Sequence, residues 1–156
     1  MLSGEPFTVY LEGEEAMVAF GRGLGERIRV GVVHLQGDLG AGKTTLSRGI
    51  LRARGHGGAV KSPTFTLVEP YEFDDGSVYH FDLYRLVDGE ELEYMGIRDF
   101  FRDDSLCLVE WPERGGDQLP PPDLDIRLSV EGKGRGVVIM ALSDHGQQVL
   151  AGLHAG

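Results

Sequence analysis

Gly37-Asp38-Leu39-Gly40-Ala41-Gly42-Lys43-Thr44 fits the pattern G-x-x-x-x-G-K-[ST]. Glycines in such a bend let successive backbone N–H groups turn toward phosphate oxygens, and the N-terminus of a following helix adds partial positive charge. Lys43 then reaches the β- and γ-phosphates, and the Thr44 hydroxyl is a hard oxygen ligand for Mg²⁺. The pattern needs a strand before it and a helix after it, and both are legible. Arg29 to Gln36 is rich in β-branched residues and stops at Gly37. Lys43 to Arg54 reads as a helix with Leu46, Ile50 and Leu51 inward and Gly55 as its stop. The bend is a nucleoside-triphosphate site.

Further from the loop the signals thin out. Glu14 to Arg27 reads as a helix, with Met17, Phe20, Leu24 and Ile28 as one apolar stripe, although glycines at 21, 23 and 25 lower its intrinsic propensity. Phe65–Phe73 and Val78–Asp82 flank Asp74-Asp75-Gly76 as a hairpin, with Pro70 pointing to a sheet edge. Glu90 to Phe101 reads as helical and broken near Gly96, and Leu106–Val109 as a short strand. Ile126–Val130 and Gly136–Leu142 form a second hairpin, and the last ten residues a weak helix. Pro120-Pro121-Pro122 is the best break. The tail beyond it is too short to fold alone, so residues 1–156 are expected to be one domain.

Composition narrows the classes. With 156 residues, 41% hydrophobic and 26% charged, the chain has the makings of one globular core. Its 25 acids against 15 bases give a net charge of −10, which excludes coating nucleic acid by bulk charge. The single cysteine, Cys107, excludes a disulfide within the chain and fits a reducing compartment. No apolar run nears the ~20 residues that span a bilayer. The start has neither a basic leader nor an apolar stretch, so the expected location is cytoplasmic, away from membranes. Between Leu39 and Val68 there is no acid but Lys43, Arg48, Arg52, Arg54 and Lys61; from Glu69 to Asp117 acids dominate. That contrast predicts a dipolar surface.

A phosphate loop that uses Mg²⁺ needs a carboxylate at the end of a neighbouring strand. Glu110, ending Leu106-Cys107-Leu108-Val109-Glu110, has the Walker B arrangement. Asp82, in His80-Phe81-Asp82-Leu83-Tyr84-Arg85, is the other candidate, for a metal-bound water or the attacking one. The chain has no asparagine and no lysine after threonine, so the guanine-reading [NT]-K-x-D motif is absent and ATP is favoured by elimination. Hydroxyls in Lys61-Ser62-Pro63-Thr64 either sense the γ-phosphate or belong to an ordinary turn. The five histidines show no metal-ligand spacing, and His34 reads as structural. Cys107 reads as a small buried thiol rather than a nucleophile. Trp111, next to Glu110, is a reporter for the site or plain packing. Arg135 is a candidate nucleotide contact, with a solvated hairpin arginine as the alternative.

Several ordered blocks together resemble the TsaE (YjeE) family of P-loop ATPases. They are GDLGAGKTTLSRG from Gly37, KSPTFTLVEPY from Lys61, YHFDLYRL from Tyr79, EELEYMGIRDFF from Glu90 and LCLVEWPER from Leu106, about half the chain. The resemblance implies an α/β fold of P-loop NTPase type, with a central mainly parallel sheet, flanking antiparallel strands and helices. It implies Thr44 and Glu110 as magnesium ligands and Asp82 as a hydrolysis-critical residue beside Lys43. Phosphates would be held by the loop of Gly37, Asp38, Gly40, Ala41, Gly42, Lys43, Thr44 and Thr45. It also implies a weak Mg-dependent ATPase, monomeric when alone, that serves a TsaB–TsaD complex and meets tRNA only through it. That complex forms threonylcarbamoyladenosine beside the anticodon of tRNAs reading codons that begin with A, and the ATP cycle would reset it. Two other classes remain open on the residues alone. One is a small-molecule kinase clamping its acceptor with Arg85, Arg98 or Arg102. The other is a binding module without useful turnover.

Overall fold

In the computed structural model, which describes residues 5–156, the loop at 37–44 sits at one end of a seven-stranded sheet. The strands are β1 (Phe7–Leu11), β2 (Gly31–Gln36), β3 (Val68–Phe73), β4 (Gly76–Asp82), β5 (Ser105–Glu110), β6 (Leu124–Glu131) and β7 (Gly134–Ala141). Their order is β1-β7-β6-β2-β5-β4-β3. The inner four, β6-β2-β5-β4, run parallel, while β7, β1 and β3 are antiparallel to their neighbours. This is the P-loop NTPase-type α/β architecture expected of the motif. Pro70 lies on the edge strand β3, where the missing N–H breaks no inner ladder.

Helices α1 (Glu14–Arg27), α2 (Lys43–Ala53) and α4 (Asp144–Ala155) join one core with Val33, Leu35, Val78, Leu106 and Leu108 of the sheet. On the other face Tyr79, Phe81, Leu83 and Val109 pack with Leu92 of α3 (Glu90–Tyr94) and with Ile97. Strand alternation divides β4 between the two cores, with Val78 on the α1–α2 side and Tyr79 and Phe81 on the other.

Some elements differ from the sequence reading. The alternation of Phe7, Val9 and Leu11 inward with Thr8 and Tyr10 outward makes a strand, β1, that the reading left out. Residues 90–101 split into α3 and a 3₁₀ turn at Ile97–Phe100, because Gly96 adopts φ 71°. The tail helix is firmer than expected: it has 12 residues, and the Ser143 side chain caps it by accepting from Gly146 N. The residues after Pro122 form β6 and β7, hydrogen-bonded to β2 and β1.

Helix α1 forms over the residues expected, and two of the three glycines that lower its propensity are its packing surface. A methyl group at Gly21 would lie 2.5 Å from the Leu46 carbonyl oxygen, and one at Gly25 would lie 2.7 Å from that of Ile50. Gly49 of α2 approaches the Val18 carbonyl in the same way. Small residues at these positions let the two helices touch backbone to backbone. Gly23, by contrast, has none of the described residues near its missing Cβ. Cys107 is fully buried, donates to the Phe100 carbonyl at 3.3 Å, and burial pushes its thiol up to about 12.

Gly49→Ala should therefore destabilise the protein by about 1–3 kcal/mol through overpacking, whereas Gly23→Ala should stabilise it by about 0.5–1 kcal/mol. Denaturant unfolding midpoints of the two variants check the contrast. The buried thiol predicts that Cys107 resists alkylation at pH 8 in the folded protein and reacts once denatured; mass spectrometry of iodoacetamide-treated samples reads this.

Candidate functional site

Strand β2 delivers the loop to the carboxyl end of the parallel strands, where open α/β sheets bind ligands. Gly40 (φ 81°) and Gly42 (φ 109°) take left-handed conformations there, which aim the loop back over the start of α2. Among the described residues no side chain caps α2. Its first-turn N–H groups, from Lys43 to Thr45, have no partner inside the helix and face the ligand side.

Lys43 is only 5% exposed, and its Nζ donates to the Gly37 carbonyl. The same ammonium lies 3.6 Å from the centroid of the Trp111 ring, a close cation–π contact. Burial pulls this lysine below its ordinary value, while the carboxylates of Glu110 and Asp82 pull the other way. Trp111 reaches over Lys43 because its backbone leaves β5 with φ 58°, a strained choice for a large side chain. Tyr84 packs against its ring at a centroid distance of 4.9 Å.

The two candidate carboxylates stand side by side. In the parallel pairing of β4 and β5, Asp82 is opposite Glu110, and both are almost fully buried. Thr44 Oγ1 donates to Glu110 Oε2 at 3.0 Å. Asp82 Oδ2 accepts from the Ser62 hydroxyl and, at 3.4 Å, from Thr64 Oγ1, while Oδ1 accepts from Tyr84 N at 2.9 Å. The Leu67 carbonyl accepts from Asp82 N at 3.0 Å, tying the 62–67 loop to the end of β4. The serine–threonine loop is thus held by the second carboxylate.

A cleft of about 460 Å³ brings Lys43, Thr44, Thr45, Asp82, Glu110 and Trp111 together, a size suited to a small ligand. Gly40 and Gly42 line it as well, whereas Gly37, Asp38 and Ala41 line a neighbouring hollow with Arg127 and Leu128. Arg135 is tied to the loop from outside: its Nη2 donates to the Gly40 carbonyl at 3.2 Å. It borders a second hollow of about 240 Å³ with Gly13, Met17, Thr45 and Lys133.

Sequence reasoning passed over Lys133, which only the β6–β7 turn brings near the loop, and His80, whose Nε2 is 2.6 Å from Glu110 Oε2. The two-residue period that placed Asp82 on its face also places His80, so the signal was present. The arginines of the basic 39–68 stretch are engaged locally. Arg48 pairs with Glu14 at 2.5 Å and the buried Arg54 with Asp75 at 3.0 Å, while Arg52 donates to the carbonyls of His56 and Gly58. Arg102 pairs with Asp104, and of the three arginines considered for an acceptor clamp Arg85 alone lines the cleft. Among the described residues no helix is long and apolar enough to cross a membrane.

The family described as "Threonylcarbamoyl adenosine biosynthesis protein TsaE" matches residues 11–137. This chain belongs to the TsaE family. The TsaE of Haemophilus influenzae is 45% identical over 153 residues, covering 94% of this chain and 97% of that one. The Bacillus subtilis TsaE is 42% identical over 103 residues, covering 65% of this chain and 63% of that one. Both carry the description "tRNA threonylcarbamoyladenosine biosynthesis protein TsaE". The crystal structure of Bacillus subtilis YdiB superposes with a TM-score of 0.82 at 25% identity, over 97% of this chain and 95% of that one. The motif blocks from Gly37 to Arg114 thus led to the right family, and its TsaE fold is of a nucleotide-binding type.

Because Trp111 is the sole tryptophan, its fluorescence reports the ammonium above it. Lys43→Met should change the intensity and emission maximum of the ligand-free protein, and an unchanged spectrum would place that ammonium off the ring.

Proposed function

We propose that this protein, as a single domain over residues 1–156, binds ATP with Mg²⁺, hydrolyses it slowly, and thereby resets a TsaB–TsaD complex in tRNA threonylcarbamoyladenosine synthesis. The observation that carries this reading is the contact of Thr44 with Glu110 beside Asp82, all facing Lys43 at the open end of the parallel strands. Hydroxyl and carboxylate are hard oxygen donors, and Mg²⁺ commonly takes few protein ligands because water and phosphate oxygens complete its shell. That fits the absence, among the described residues, of any cluster of three or more His, Cys, Asp and Glu suited to a metal. Thr44 and Glu110 would hold the cation, which when bound neutralises phosphate charge.

The remaining residues take the following roles in this proposal. Lys43 exchanges the Trp111 ring and the Gly37 carbonyl for the terminal phosphates. The N–H groups from Gly40 to Thr45 cradle those phosphates, with Gly37, Asp38 and Ala41 shaping the bend behind them. Asp82, with Ser62 and Thr64 on one oxygen, orients the attacking water. The nucleoside end extends past Thr45 into the hollow bordered by Arg135 and Lys133. The protein works in the cytoplasm as a monomer until it docks, and meets tRNA only through its partners. A kinase reading would have to use Arg85 as its acceptor clamp, since Arg98 and Arg102 do not line the cleft.

Adding MgATP should change Trp111 fluorescence with saturation. Lys43→Ala should weaken that binding by roughly tenfold to a hundredfold, the worth of a charge-assisted contact, and should abolish phosphate release. Glu110→Gln should lose most of the magnesium dependence of binding while keeping metal-free affinity. Retention of TsaB and TsaD on the immobilised protein should differ between ATP and ADP, since a nucleotide switch needs differential affinity. Equal retention, with phosphate passed to an added metabolite instead of released, would favour the kinase.

A further inference from the structure

His80 is a buried polar group beside Glu110 to which the proposed function gives no task. It sits in β4 opposite Leu108 of β5, fully buried, two residues before Asp82 and on the same face. Its Nε2 is 2.6 Å from Glu110 Oε2, the same oxygen that accepts from Thr44 Oγ1 at 3.0 Å. A carboxylate oxygen at that distance accepts, so Nε2 carries the proton. The other ring nitrogen, Nδ1, is buried without a partner among the described residues. Leaving a ring nitrogen unmet inside a core has a desolvation cost that an apolar residue at position 80 would avoid. Val78, Leu106 and Leu108 around it in the sheet are themselves fully buried.

We propose that His80 is a positioning residue for Glu110: its Nε2–H holds Oε2 next to Thr44, so that the carboxylate is oriented for a divalent cation before the cation arrives. This inference rests on the reading of Glu110 as a cation ligand. Partners of this kind orient metal ligands, and losing one typically weakens metal binding by roughly tenfold to a hundredfold. A histidine that merely filled the core would leave cation affinity unmoved when replaced by an apolar residue of similar size.

The test measures Mn²⁺ binding to the full chain with saturating ADP by electron paramagnetic resonance of the free ion, alongside metal-free ADP affinity and thermal unfolding. His80→Leu should bind Mn²⁺ roughly tenfold or more weakly than wild type with unchanged metal-free ADP affinity. His80→Gln, whose amide N–H still reaches Glu110, should recover most of the loss, and His80→Asn, which falls short, should not. The Gln and Asn pair carries the test by itself if the leucine variant does not fold. Wild-type Mn²⁺ affinity in the leucine variant, or equal affinities in the Gln and Asn variants, overturns the proposal while leaving Glu110 as a ligand. A wild-type protein that binds no Mn²⁺ with ADP removes the cation reading itself, and the positioning role falls with it.

Discussion

Parallel pairing of β2, β5 and β4 in register determines where chemistry takes place in this molecule. Leu35 stands opposite Glu110, and Glu110 opposite Asp82, so three consecutive strands end at one level. Parallel strands share their carboxyl ends, and each of these ends delivers something different: the glycine bend, one carboxylate and a second carboxylate. A slip of one residue in β5 would turn Glu110 to the opposite face of the sheet and replace it with an apolar neighbour. The register is secured by burial on both sides, since every residue of β5 is buried and the two cores claim alternate positions.

Helix α2 has to rise from the bend at an angle that aims its first turn at the cleft. That angle depends on how closely α1 can approach behind it. Gly21, Gly25 and Gly49 remove the side chains that would hold the two helices apart. Their conformational cost within a helix, about 1 kcal/mol each relative to alanine, is offset by backbone contact along the seam. Gly23 lies outside that seam and brings no such return.

A buried lysine among buried carboxylates needs its charge met before any ligand arrives. Here the Gly37 carbonyl and the Trp111 ring meet it, and the ring gets there through a left-handed backbone at residue 111. Strain at that position, close contact with the lysine and adjacency to Glu110 make Trp111 part of the site's resting state. The same economy explains Asp82, whose oxygens are occupied by Ser62, Thr64 and the Tyr84 N–H.

The amino-acid sequence alone was enough for the loop, its flanking strand and helix and the acidic strand end, because these depend on local chemistry, while the TsaE family came from the resemblance of several ordered blocks. Glycine, lysine and threonine at fixed spacing specify an anion cradle, and apolar periodicity specifies the elements beside it. Tertiary structure decided the rest. The glycines of α1 look like helix breakers until α2 lies against them. The arginines near the loop look like a free basic patch until Arg48 meets Glu14, Arg54 meets Asp75 and Arg52 turns to two backbone carbonyls. Contacts such as His80 with Glu110, or Arg135 with the Gly40 carbonyl, join residues 30 and 95 positions apart. Local propensity is blind to such pairs, since they arise only when strand order and register bring distant backbone together.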